Sequence, residues 1–239
     1  MFRLIDDEDE RTLVLSDDIS GFFCDEADWP SVVTFRHARE IDLGKDVREF
    51  SVLEVLDRNG RRIGEYPTGR VVPKLATFVL NPDSTSDVSL EIYTSQDSSL
   101  TQEFWARWSL GFPGKLGEWI GLSDEELTGL LNVVGNSWAA RGLEMRYYGS
   151  SGKICLNGHY IESETAFYCA FGESANGPGG YFGWNIAAIR DCVRSSMNSN
   201  PLHSMEWLNF SHSVEYLDTE FISRLRDVMV ECDIDRIGW

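Results

Sequence analysis

The sequence predicts a protein of mixed class, α/β and α+β: a strand-rich α+β N-terminal domain, then a C-terminal domain with helices packed on a small parallel sheet. Three observations lead there. The chain has 239 residues, beyond the usual size of one domain, and is 42% apolar, enough to fill hydrophobic cores. Its first half carries apolar segments broken by turn residues, whereas its second alternates short apolar runs with helical periodicities. Between them lies Tyr148-Gly149-Ser150-Ser151-Gly152, a stretch of small residues that places the expected boundary at 150, with domains over 1–150 and 151–239.

In the N-terminal part the clearest hairpin joins Ser51–Leu56 to Arg62–Tyr66 through the Asn59-Gly60 turn, which favours positive φ. Ala76–Leu80 and Val88–Tyr93 read as further strands, separated by the turn-rich Asn81-Pro82-Asp83-Ser84. A helix is expected around Thr101–Ser109, carrying Phe104, Trp105 and Trp108. Ser123 caps a second helix, and Glu126 three residues on completes a capping box. Leu127, Leu130, Leu131 and Val134 recur there at helical spacing, so the helix runs to about Arg141.

The C-terminal part has a simpler order. Lys153–Leu156 is a strand, Asn157-Gly158 a turn, and Ser163 or Glu164 opens a helix through about Phe171. The glycine-rich loop Gly177–Gly183 leads into a helix capped by Asn185, with Ile186, Ile189, Val193 and Met197 on one buried face. Met205–Leu208 is a strand, Thr219–Val230 a helix and Ile234–Ile237 a last strand. No internal repeat or low-complexity tract interrupts this order.

Charge and cysteine content narrow the function. Twenty-one Lys and Arg stand against 39 Asp and Glu, a net −18. Both parts share the acidity, with 27 acids to 15 bases before residue 151 and 12 to 6 after it. Neither is built to hold a polyanion, so nucleic acid and anionic membranes are excluded as general partners and a basic protein is favoured. No apolar run reaches the roughly 20 residues of a membrane span, and the acidic N-terminus is not a secretory signal. Five cysteines, odd in number and without a Cys-x-x-Cys, fit reduced thiols in the cytoplasm, although the sequence leaves a single disulfide open.

Motifs of catalysis are missing. Gly149-Ser150-Ser151-Gly152-Lys153 falls two residues short of a phosphate-binding loop, and a linker is the better reading. Gly177–Gly183 lacks a lysine and the dinucleotide-loop spacing, so it reads as a shaped turn. His37, His159, His203 and His212 have no metal-ligand spacing, although His203 and His212 could face each other at the sheet edge. No nucleophile elbow or zinc-protease motif occurs. The expectation is a non-enzyme with no cofactor and no metal.

A cluster of another kind remains. Asp191 falls opposite Ile186, Ile189 and Val193 on its helix and should be exposed, with Tyr181 and Asn185 one to two turns before it. Asp227 comes close if the last helix packs beside this one. Carboxylates among amide and aromatic groups suit the basic cleft of a nuclease, where they would stand in for phosphates.

Residues 153–239 resemble the barstar family of intracellular ribonuclease inhibitors. Ile154–Ile161 is similar to that family's first strand and turn, and Met205–Phe210 to its central strand with the Glu206-Trp207 pair. Tyr181-Phe182-Gly183-Trp184-Asn185-Ile186-Ala187-Ala188-Ile189-Arg190-Asp191-Cys192 resembles its inhibitory loop and helix, and Arg226–Ile234 its last helix and strand. The resemblance implies a three-layered domain that occludes the active site of a basic ribonuclease or related nuclease toxin. It also implies that Asp191 is the central anchor and Asp227 the acidic residue of the last helix. Tyr181 and Asn185 match contact positions, while Phe182, Ile186, Ala187 and Arg190 complete the expected partner face. Two positions depart from the pattern. Ala187 replaces an aspartate, and Arg190 an aromatic residue; Trp184, where a polar residue is usual, offers a substitute anchor. These departures keep open an alternative, a non-inhibitory interaction or regulatory module on the same fold. An enzymatic N-terminal domain is a further rival, though no constellation in residues 1–150 calls for one.

Overall fold

The computed structural model describes residues 1–24, 30–94, 98–113, 115–197 and 200–239. The chain is mixed α and β and forms two compact units: Met1–Gly111 with Ala139–Gly142, and Phe112–Trp138 with Leu143–Trp239.

The first unit holds nine strands, among the described residues, in two antiparallel sheets. They are β1 (Phe2–Asp6), β2 (Thr12–Ser16), β3 (Asp18–Ser20), β4 (Ser31–Ala38), β5 (Glu40–Ile41), β6 (Ser51–Leu56), β7 (Arg62–Thr68), β8 (Val71–Leu80) and β9 (Ser86–Ile92). One sheet runs β5-β2-β1-β6-β7 and the other β3-β4-β9-β8. The expected hairpin is β6–β7. Asp57 shapes its turn by accepting from the backbone N–H groups of Asn59 (2.7 Å) and Arg61 (2.9 Å), and Gly60 takes φ +75°. These hydrogen bonds hold the Asp57 carboxyl below its ordinary range. β8 starts five residues before the expected Ala76, because its pairing with β9 jumps between Val72 and Thr77 across Pro73.

The helix expected around Thr101–Ser109 is α1 (Ser99–Leu110), and it buries Phe104, Trp105 and Trp108. Trp105 donates from Nε1 to the Tyr66 hydroxyl at 2.7 Å, which satisfies the indole where water is absent. Phe22 and Phe23 pack edge-on against Tyr66, at centroid distances of 5.5 and 5.3 Å. Two buried carboxylates are answered by arginines: Glu54 by Arg3 (2.5 Å) and Arg62 (3.5 Å), and Asp6 by Arg48 (3.1 Å). A carboxylate left alone at such depth would cost several kcal/mol.

The second unit includes the start of α2 (Asp124–Ala140), where Ser123 and Glu126 form the expected capping box. There follow β10 (Lys153–Asn157), α3 (Glu164–Asn176), α4 (Ile186–Ser196), β11 (Ser204–Leu208), α5 (Phe210–Val214), α6 (Thr219–Glu231) and β12 (Asp235–Ile237). The three strands form a parallel sheet in the order β10-β11-β12, pairing Leu156 with Trp207 and Met205 with Arg236. Trp207 sits fully buried on the middle strand, against the rings of Phe167 (5.2 Å), Phe210 (5.0 Å) and Trp239 (5.4 Å). Helix α5 has no counterpart in the sequence reading; it starts after Asn209, which takes φ +52°.

Residues 112–138 and 143–150 group with the C-terminal residues, whereas the sequence division at 150 assigns them to the first domain. Hydrogen bonds account for the grouping. The Gly117 N–H donates to the Glu173 carboxylate (2.9 Å), as does Trp119 Nε1 (3.0 Å). Asn176 accepts from the Tyr148 N–H at 2.8 Å and donates to the Arg146 carbonyl at 3.0 Å. Tyr147 N–H donates to Ser196 Oγ at 2.7 Å. The small residues at 148–152 are therefore a bend inside a bonded unit.

Among the described residues no helix is long and apolar enough to cross a membrane. Cys155, Cys169, Cys192 and Cys232 are thiols. Burial pushes Cys169 well above the usual thiol range and Cys192 up to about 12, the latter helped by the charge of Asp191. A thiol reagent at pH 8 should therefore modify exposed Cys155 at least about a hundredfold faster than Cys169 or Cys192. Peptide mapping of a labelling time course checks this; equal rates would show that the core around α3 and α4 opens readily.

Candidate functional site

The expected site is built on α4 and α6 of the second unit. Asn185 opens α4: its side chain accepts from the Ala188 N–H at 2.8 Å, the cap expected from sequence. Ile189, Cys192 and Val193 then face the core, which turns Asp191 outward, and Asp191 is exposed. On α6, Asp218 caps the first turn by accepting from the Glu220 N–H at 2.7 Å. Phe221, Ile222, Leu225, Val228 and Met229 are buried, and Asp227 lies on the exposed side.

The two helices pack side by side. Glu231 near the end of α6 receives both Arg190 (3.1 Å) and Arg194 from α4. At the other end, the first turns of both helices line one cleft of about 500 Å³, with Asn185, Ile186 and Ala187 on one wall and Asp218, Phe221 and Arg224 on the other. The helices therefore run in the same direction. Asp227 stands one turn before Glu231, on the side of α6 that meets α4. Among the described residues neither Asp191 nor Asp227 has an ion-pair partner within 4 Å.

Tyr168 and Glu164 of α3 reach the same cleft. Burial first, and then the charge of Glu164, push the Tyr168 hydroxyl up to about 12, against the backbone N–H of Ile186. Glu164 is itself raised by burial and by nearby Asp218, with Arg224 opposing. A second cleft of about 320 Å³ continues past Glu164, Tyr168 and Asn185 to Trp184 and Leu131. Trp184 is 54% exposed, an unusual position for so large a ring.

Two residues of the expected partner face lie elsewhere. Tyr181 and Phe182 are 6% and 1% exposed, so neither side chain is offered to a partner. Phe182 packs on Phe171 at 5.5 Å, and burial pushes the Tyr181 hydroxyl up to about 12. The glycine loop thus turns its aromatics into the core to anchor α4. Arg190 is answered by Glu231, and Ile186 is half-buried at the helix start; Ala187 is exposed. His212 meets His159 (ring centroids 5.2 Å apart) and Glu162 (3.5 Å), rather than His203, the neighbour the sequence left open.

The sequence reading overlooked Glu164, Asp218 and Glu231. Each has a sequence signal, an acid in the first turn of a helix, an N-cap, or an (i, i+4) spacing with Asp227, but their convergence on α4 is a product of packing alone. Among the described residues no cluster of three or more His, Cys, Asp or Glu side chains is placed to hold a metal ion. No family model and no curated protein matches this chain.

Proposed function

We propose that the second unit is a barstar-like inhibitor that binds a small basic ribonuclease, or a related nuclease toxin, in the cytoplasm of the producing cell. The observation that carries this reading is the pair of exposed aspartates, Asp191 and Asp227, without ion-pair partners on adjacent helices, with both arginines of α4 held by Glu231. An extended carboxylate face of this kind attracts and orients a basic cleft. The family resemblance supports it, as does the strand and helix order around a three-stranded parallel sheet. Asp191 is the central anchor, Asp227 the second carboxylate, and Trp184 and Asn185 the flanking contacts. Glu231 offsets only part of the charge of Arg190, since Arg194 shares the same carboxylate.

The test is affinity capture from the producing organism on wild-type and Asp191→Ala baits, followed by titration of the captured protein in an RNA-cleavage assay. A small basic nuclease held only by wild type and inhibited one-to-one is expected, with Asp191→Ala and Asp227→Ala each weakening binding about 30-fold or more. The same partners on both baits, none of them a nuclease, would defeat the proposal. Exposed Ala187, where the family carries an aspartate, favours a second reading as an interaction module without inhibitory action, and that outcome would select it.

A further inference from the structure

We propose that the chain forms a two-fold dimer by pairing the open edge of β8 with the same strand of a second copy. β8 is the outer strand of the four-stranded sheet and is bridged on its other side only at Val71, to Arg48, among the described residues. Beyond that point Leu75, Phe78, Val79 and Leu80 are 53%, 57%, 63% and 77% exposed, and they occupy both faces of the strand.

Edge strands of soluble proteins are usually blunted by proline, charge or irregular register. Here all three devices, Pro73, Lys74 and the register jump, sit in the first half of β8. Leu75–Leu80 carries no charge and pairs regularly with β9 from Thr77 onward, so its backbone is laid out to receive another strand.

The fit to a second copy follows from symmetry and charge. Antiparallel pairing of β8 with itself about a two-fold axis uses up both open edges and closes the assembly. With the axis at Phe78, which then pairs with its own copy, the two Lys74 side chains lie on the order of 25 Å apart. Each then comes beside the other copy's Asn81–Ser84 turn, where Asp83 stands exposed, 3.4 Å from His37 of its own chain. Hydrogen bonds from Thr85 keep the Asp83 carboxyl below its ordinary range, so that the turn offers a counter-charge. The four apolar side chains expose on the order of 400 Å² per copy. Doubled by symmetry and extended by the backbone, this approaches the roughly 1,000 Å² of a specific interface.

The test is sedimentation equilibrium of the full chain from about 1 to about 100 μM. Wild type, Val79→Lys and Leu75→Glu are compared, with circular dichroism melts as the control for folding. Both substitutions fall at exposed positions, so the fold should be retained, and if one variant misfolds the other decides. The expected result is twice the chain mass for wild type and the single-chain mass for the variants, with unchanged melting. A wild type that stays monomeric throughout overturns the proposal and leaves the edge to a foreign strand. A dimer indifferent to both substitutions, or open-ended growth beyond two copies, overturns it equally.

Discussion

Trp207→Ala should lower the stability of the C-terminal unit by about 3–5 kcal/mol, as for other large aromatic truncations in cores. The indole lies on the middle strand of the parallel sheet with no exposed surface, and three aromatic rings meet it within 5.4 Å. Alanine would leave a cavity whose walls come from α3, α5 and the C-terminal Trp239, which cannot all collapse at once. A thermal melt should show a loss of about 10 °C or more. Trp184→Ala is the matched control. Its ring is more than half exposed, so stability should change by less than about 1 kcal/mol while target binding falls. A melting loss for Trp207→Ala no larger than for Trp184→Ala would refute this account of the core.

Gly183→Ala should damage both stability and binding. Gly183 takes φ +97°, where an L side chain is strained, and an added Cβ would lie 2.6 Å from the Ile189 nitrogen and 2.9 Å from the Ala188 carbonyl carbon. Both are backbone atoms of α4, so relief requires the helix start to move. That shift would loosen the Asn185 cap, and the total cost should reach about 2–4 kcal/mol. Asp191, two turns from the loop, would move with the helix. Melting and titration against the captured nuclease should therefore fall together. Unchanged melting would mean that Gly183 does not fix the position of α4.

What the sequence revealed depended on the range of the interactions involved. Asn59-Gly60, the Ser123–Glu126 box and the Asn185 cap are local, each settled within a few residues, and all three were legible before any coordinates. The apolar spacing of α4 told which way Asp191 faces for the same reason. The N-terminal strands were less legible; β1, for one, is paired with β6 through contacts such as Leu4 with Leu53, some fifty residues apart. Tyr181 and Phe182 misled because aromatics in a glycine-rich loop suit a binding surface and a core anchor equally well; only packing on Phe171 decides. The compact units divide the chain elsewhere than the sequence does, for a similar reason. Small residues at 148–152 look like a linker, but Glu173, Asn176 and Ser196 draw the segment before them into the second unit.

The closure of Arg190 and Arg194 on Glu231 adds little to folding, since exposed ion pairs are worth at most about 1 kcal/mol. Its effect falls on the entropy of association. By tying α4 to α6 in the unbound protein, it lowers the freedom between Asp191 and Asp227 that binding the proposed partner would otherwise have to remove. Encounter should then be quick and should slow as ionic strength rises, while the lifetime of the complex should depend far less on salt. Glu231→Gln, which touches neither aspartate, should shorten that lifetime by releasing one jaw from the other.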